Sequence, residues 1–180
     1  MTGCRIRLLG GWHVSLEGED VTSAIPGGRA RLLIAYLTLA TDSPPARKRI
    51  AFDFWPDSTE KQALTNLRKL LHDLRAKWPA IQRCLLADDD CVRWNAALPV
   101  DSDVREFERL AHSASVRDLL AAERLYRGEL LPGQDEEWLD GRRQSLARLY
   151  ADVLEKLIAA LEGRREYADA ERFAIKLLRH

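Results

Sequence analysis

The apolar positions of this 180-residue chain change their spacing three times, and each change marks a switch in the kind of element. Over the first twenty residues they alternate. Ile6 and Leu8 share one face, and after a Gly10-Gly11 break Trp12, Val14 and Leu16 share another before the turn-forming Glu17-Gly18-Glu19-Asp20. This predicts an N-terminal antiparallel β-meander. Over 30–40 the spacing becomes helical, with Leu32, Leu33, Tyr36, Leu37 and Ala40 recurring and Pro44-Pro45 beyond the end. A shorter second helix is predicted over 47–54, with Ile50, Ala51 and Phe54 inward. It is closed by Trp55-Pro56, since proline lacks a backbone donor and restricts the residue before it.

The third helix carries the clearest signal. Leu64, Leu67, Leu71, Leu74 and Trp78 recur at alternating intervals of three and four, forming one stripe with Ala63 and Leu70 at its edge. Asp57 and Glu60 have capping-box spacing, so this helix is expected to open at Asp57 and to run to about Trp78, ahead of Pro79. Turning 100° per residue, Gln62, Thr65, Lys69 and His72 fall opposite the stripe, with Lys61, Asn66, Arg68 and Arg75 on the flanks. Two short apolar-rich runs, 83–87 and 91–95, then flank Asp88-Asp89-Asp90 and predict a β-hairpin. Pro99 and Asp101 read as a linker. After it the pattern is helical throughout, over 104–112, 116–126, 136–161 and 167–178. In the last pair, Leu146, Tyr150, Leu154 and Leu157 form a stripe, and Tyr167-Ala168 with Ala170, Phe173, Leu177 and Leu178 follows a turn at Gly163. That arrangement is similar to a tetratricopeptide helical hairpin.

Composition narrows the class. Hydrophobic residues at 46% and charged residues at 31% describe a globular chain. The N-terminus lacks the apolar core of a signal peptide and no stretch approaches the ~18 apolar residues of a membrane span, so a cytoplasmic, non-membrane protein is expected. Cys4, Cys84 and Cys91 form no CxxC pair and are expected as reduced, mostly buried thiols. Formal net charge is zero, but residues 1–98 hold 14 Lys and Arg against 11 Asp and Glu, while 99–180 hold 14 against 17. The basic half suits a nucleic-acid contact.

Several motifs together resemble the antibiotic-regulatory-protein (SARP) type of activator, which joins an OmpR-type winged helix to a bacterial transcriptional activator domain. They are Leu8-Leu9-Gly10-Gly11; Leu32-Leu33 with Tyr36-Leu37; Phe54-Trp55-Pro56-Asp57-Ser58; and Asn66-Leu67-Arg68 with Leu71-His72, Leu74 and Arg75. Tyr126-Arg127-Gly128-Glu129-Leu130-Leu131-Pro132-Gly133 and Glu136-Glu137-Trp138-Leu139 complete the set. The fold implied is mainly α with a small β component: an N-terminal OmpR-like winged helix-turn-helix over 1–98, then a tetratricopeptide-like α-helical activator domain over 99–180. The family's helical domain continues through further repeats, so this one is expected to be truncated at His180. The resemblance implies binding to double-stranded promoter DNA. RNA polymerase and a second copy of the chain on direct repeats are further candidate partners. Helix 59–77 would be the recognition helix and the 83–95 hairpin the wing. One departure is Ala46, where the family usually places Ser or Thr to cap the second helix, a difference of ~1 kcal/mol at that helix start.

Reading DNA with a helix requires long polar side chains on one face to reach base edges and cations to fix the register on phosphates. Gln62, Thr65 and Asn66 are base-edge candidates, Lys61, Arg68, Lys69 and Arg75 are phosphate candidates, and His72 lies on the same face. Arg93 on the hairpin is a candidate for the minor groove or an ordinary cross-strand residue. Arg29 and Arg31 either meet a phosphate or pair with nearby acids. The tryptophans read as packing residues rather than base-stacking ones. No GxSxG, HExxH or GxxxxGK[ST] motif occurs, and His13, His72, His112 and His180 are scattered, so neither catalysis, a metal nor a cofactor is expected. A rival reading remains open, in which the winged helix has lost DNA binding and the protein is an interaction adaptor working through its helical domain.

Overall fold

A computed structural model describes residues 3–40 and 43–180. The fold is mainly α with a small β component. In chain order it comprises β1 (Cys4–Arg7), β2 (His13–Leu16), β3 (Glu19–Asp20), α1 (Arg29–Leu39), α2 (Arg47–Phe54), α3 (Glu60–Lys77) and α4 (Ile81–Cys84). There follow β4 (Leu85–Ala87), β5 (Val92–Trp94), β6 (Val100–Ser102), α5 (Asp103–Ala111), α6 (Val116–Leu125), α7 (Glu137–Gly163) and α8 (Tyr167–Arg179). The chain divides into two compact units. One contains residues up to Ile6 together with His13–Asp101, and the other contains Arg7–Trp12 together with Ser102–His180.

In the first unit the meander expected from the alternating pattern is present, with Cys4, Ile6, Val14 and Leu16 buried. Leu16 pairs with Glu19 across a two-residue turn in which Glu17 and Gly18 both have positive φ, 54° and 95°, the backbone of a tight hairpin. The sheet order is β3-β2-β1-β6. Val100–Ser102, read from the sequence as linker, is therefore a strand, and the Cys4 amide donates to Pro99 O at 2.8 Å beside it. Three residues are too few for an alternation to register in the sequence.

α1 is buried more completely than its one-sided pattern suggests, for Ile34, Ala35 and Thr38 are also inside. It packs against both α3 and β5, and the Thr38 hydroxyl is satisfied by donating to Ile34 O at 2.7 Å. α2 begins at Ala46, which offers no side-chain cap. The hairpin supplies what the cap does not. Arg47 N–H donates to Asp90 O at 2.8 Å and Val92 N–H to Pro45 O at 3.3 Å, so the segment before α2 lies beside β5. α2 is tied to α1 by Asp53, whose carboxylate accepts from the Tyr36 hydroxyl at 2.6 Å and from Arg49 Nε at 2.9 Å. Burial, followed by the hydrogen bond to Asp53, pushes the Tyr36 phenol up to about 12.

The start of α3 differs from the capping box expected at Asp57. Thr59 is the N-cap, its hydroxyl accepting from Gln62 N–H at 3.3 Å, and Glu60 turns to Lys48 at 2.7 Å instead of reaching back to an amide. α4 is a short helical turn whose last two residues, Arg83 and Cys84, fall where the apolar run predicts the beginning of a strand. Cys4 and Cys84 are buried and Cys91 is half-buried. Burial, with Cys84 nearby, pushes the Cys4 thiol up to about 12.

The second unit is built on α7, which packs against α5, α6 and α8. Leu146, Tyr150, Leu154 and Leu157 are buried as their spacing predicts, joined by Val153 and Leu161. On α8 Ala170 and Phe173 are inside, whereas Leu178, expected on the inward stripe, is 88% exposed. Two sequence motifs far apart in the chain meet here. Leu131 N–H donates to Leu8 O at 2.9 Å, and Gly10 N–H to Glu129 O at 2.9 Å. The Arg143 guanidinium secures the same loop by donating to the carbonyls of Leu130, Leu131 and Gln134 at 2.9, 2.8 and 2.5 Å.

Gly10 has φ +76°, and a Cβ there would lie 2.8 Å from the Arg127 carbonyl carbon and 2.9 Å from its oxygen. Left-handed strain and a backbone overlap therefore act together at this position. Gly10→Ala is expected to destabilise the protein by roughly 2–4 kcal/mol, read as a lower denaturation midpoint. A variant as stable as wild type would mean that the approach of Gly10 to Arg127 is not constrained. No helix among the described residues is long and apolar enough to cross a membrane.

Candidate nucleic-acid interface

α3 owes its orientation to its buried side. Ala63, Leu67, Leu71 and Leu74 are buried, and Trp78 continues the stripe just past the helix end. Ala63 is more deeply placed than the sequence indicates, while Leu64, expected in the core stripe, is half-buried. Lys61, Gln62, Thr65, Arg68, Lys69 and His72 are exposed, and Asn66 and Arg75 are half-buried. All eight thus lie along one exposed arc of a single helix of 18 residues, ~27 Å long.

Local bonds order part of this arc. Gln62 Nε2 donates to Asn66 Oδ1 at 2.9 Å, one helical turn apart, so the two amides sit side by side. Their remaining groups, the Gln62 carbonyl and the Asn66 amino hydrogens, form an acceptor and donor set. Thr65 donates its hydroxyl to Lys61 O at 2.9 Å, which leaves the hydroxyl oxygen free to accept. Not every cation of this unit is held by an acid. Among the described residues, Lys61, Arg68, Lys69, Arg75 and Lys77 take part in no ion pair, although Lys48, Arg49, Arg83 and Arg93 all do. The helix's own Glu60 is engaged with Lys48, leaving Asp73 as the other acid on α3.

The hairpin β4–β5 pairs Leu85 with Trp94, Leu86 with Arg93 and Ala87 with Val92. Its turn is closed by Asp88, whose Oδ1 accepts from the amides of Cys91 at 2.9 Å and Asp90 at 3.1 Å. Arg93 Nη1 lies 2.5 Å from Asp88 Oδ2 and 3.0 Å from Cys91 Sγ. The Cys91 amide, with Arg93 and the Asp90 amide, holds the Asp88 carboxyl well below the usual carboxylate range. Arg93 thus lies on the strand where it was expected, but its guanidinium is bound to the hairpin's own turn.

Arg68 opens onto a cleft of about 510 Å³ lined also by Arg47, Lys48, Leu64 and the Asp88–Asp90 turn. The start of α2 therefore brings two further cations beside α3. Sequence reasoning passed over Arg47 and Lys48, although the basic run Arg47-Lys48-Arg49 at a helix start is itself a visible signal. Arg29 does not stand free either, since its guanidinium carbon lies 5.0 Å from the centre of the Trp55 ring. Trp78 is in the core, while Trp55 and Trp94 are half-buried. Among the described residues no group of three or more His, Cys, Asp or Glu side chains is placed to hold a metal ion.

Comparison with solved structures finds Mycobacterium tuberculosis EmbR in complex with low affinity phosphopeptide, at a TM-score of 0.65 and 17% sequence identity. The two share a fold. The likeness covers 98% of this chain, which spans 59% of the EmbR chain. No family model matches the sequence. No curated protein matches it either.

Proposed function

We propose that this chain is a cytoplasmic transcription regulator that binds promoter DNA, with α3 in the major groove and the β4–β5 hairpin as its wing. The observation that carries this reading is the arc of four cations on α3, Lys61, Arg68, Lys69 and Arg75, that take part in no ion pair among the described residues, on a helix whose other side is fixed in the core. Three helices, the short α4 and then an antiparallel hairpin suit winged-helix docking, and a fold shared with EmbR agrees with the SARP-type resemblance of the motifs. In this reading Gln62, Thr65 and Asn66 meet base edges. Lys61, Arg68, Lys69 and Arg75 meet phosphates, with His72 beside them. The helical residues from 99 onward form the activator-type domain that meets RNA polymerase or a second copy of the chain.

A mobility shift with DNA from the region upstream of its own gene, over a salt series, tests the proposal. The expected result is a specific complex that weakens with salt. Lys69→Ala should weaken it across sequences and flatten the log–log salt dependence by about 0.9, the loss of one phosphate contact. The exposed apolar side chains of α8, Tyr167, Ile175 and Leu178, favour the adaptor reading instead. Absence of any preference for specific over random DNA would leave that reading in place and remove the regulator.

A further inference from the structure

We propose that Asp88 withholds Arg93 from nucleic-acid phosphates, so that the hairpin carries an internal competitor of DNA. This inference rests on the reading of α3 and the hairpin as a DNA interface. Among the described residues the cations of α3 take part in no ion pair, whereas Arg93 and Arg47 at the hairpin are both bound to Asp88. Arg93 Nη1 donates to Asp88 Oδ2 at 2.5 Å, and Arg47 Nη1 donates to the Asp88 main-chain oxygen at 3.0 Å.

An exposed ion pair usually contributes little, because two mobile side chains must be ordered to form it. Here one partner is already ordered, since Asp88 Oδ1 is fixed by the amides of Asp90 and Cys91. A carboxylate offers a guanidinium paired anionic oxygens much as a phosphate does, so the two compete for the same donors. Non-specific affinity grows with the number of cations offered to the DNA backbone. Holding Arg93 on Asp88 keeps that number down. A narrow minor groove, where negative potential is concentrated, can draw the guanidinium across. The pair thereby favours sites of the right shape over random sequence.

Asp88→Asn tests this in the full chain, because asparagine keeps an oxygen for the two amides and removes the charge that holds Arg93. The probes are random duplex DNA over a salt series and a heparin column, a polyanion without base sequence. Asp88→Asn should bind random DNA several-fold more tightly at low salt, with a salt dependence steeper by about 0.9, and should leave heparin at higher salt. Both gains should disappear in Asp88→Asn with Arg93→Gln. Asp88→Ser, which also keeps an acceptor for the turn, serves if the asparagine variant does not fold. Unchanged or weaker binding to both probes overturns the proposal, as does a gain that survives removal of Arg93. An Arg93-dependent gain on heparin, in a protein that prefers no DNA fragment over random, would uphold the competition and reject the regulator.

Discussion

Lys61→Glu combined with Lys69→Glu is expected to abolish specific promoter binding while leaving the protein as stable as before. The two residues lie eight positions apart on α3, ~12 Å along its axis and on the same exposed arc. Neither is in an ion pair among the described residues, so their replacement breaks no bridge within the fold. On DNA the loss is large. Two charge-assisted contacts at roughly 1.5–3 kcal/mol each correspond to a hundredfold or greater loss of affinity, and the new carboxylates repel phosphates in addition. Fluorescence anisotropy with the upstream fragment, alongside a thermal unfolding curve, separates the two effects. Wild-type affinity in a folded double variant would place any DNA contact elsewhere.

Asp103→Ala should strongly destabilise the second unit. The side chain of this buried aspartate at the start of α5 accepts from Leu8 N–H at 2.9 and 3.0 Å and from Leu9 N–H at 3.0 Å. Leu8 and Leu9 are themselves buried, so alanine leaves their two amides without an acceptor or water, at about 1–3 kcal/mol each. A loss of at least about 2 kcal/mol in denaturant unfolding is expected, and one below about 1 kcal/mol would show that the amides find other partners.

The pH dependence at Asp103 has a definite sign. Burial is the largest influence and raises its carboxyl above 3.8, against the downward pull of the Leu9, Leu8 and Val104 amides and of the Arg7 charge. The folded state therefore holds the proton more tightly than the unfolded chain. The stabilisation linked to this proton is full below pH 3.8 and is lost as pH rises through the folded value. Asp103→Asn, which does not titrate, should lack that component when its stability profile is subtracted from that of wild type.

What the sequence made visible depended on period and length. α2 and the four long helices after residue 100 were found within a few residues, because several turns of apolar spacing leave little ambiguity. The polar arc of α3 was equally legible, since a helix places every third or fourth residue on one side. Shorter features were not. β6 has three residues and α4 four, and Thr59 displaced Asp57 as the cap by standing directly before the first helical residue. The sequence shows Asp88, Cys91 and Arg93 as neighbours, but only the turn geometry joins them. Nor does periodicity reveal why Leu8-Leu9-Gly10-Gly11 and the motif from Tyr126 to Gly133 go together. The Gly10 contacts and the Leu8–Leu131 bond explain it.

That pairing also bears on how the protein can be inherited and rearranged. Arg7–Trp12 belongs to the second unit, although the chain on either side of it belongs to the first. A single genetic crossover near residue 100 would hand the helical half to a new partner without the strand segment that Asp103 and Arg143 help to seat. Any successful exchange must carry two separated pieces of coding sequence, so the halves are expected to evolve as a linked pair rather than as freely shuffled modules.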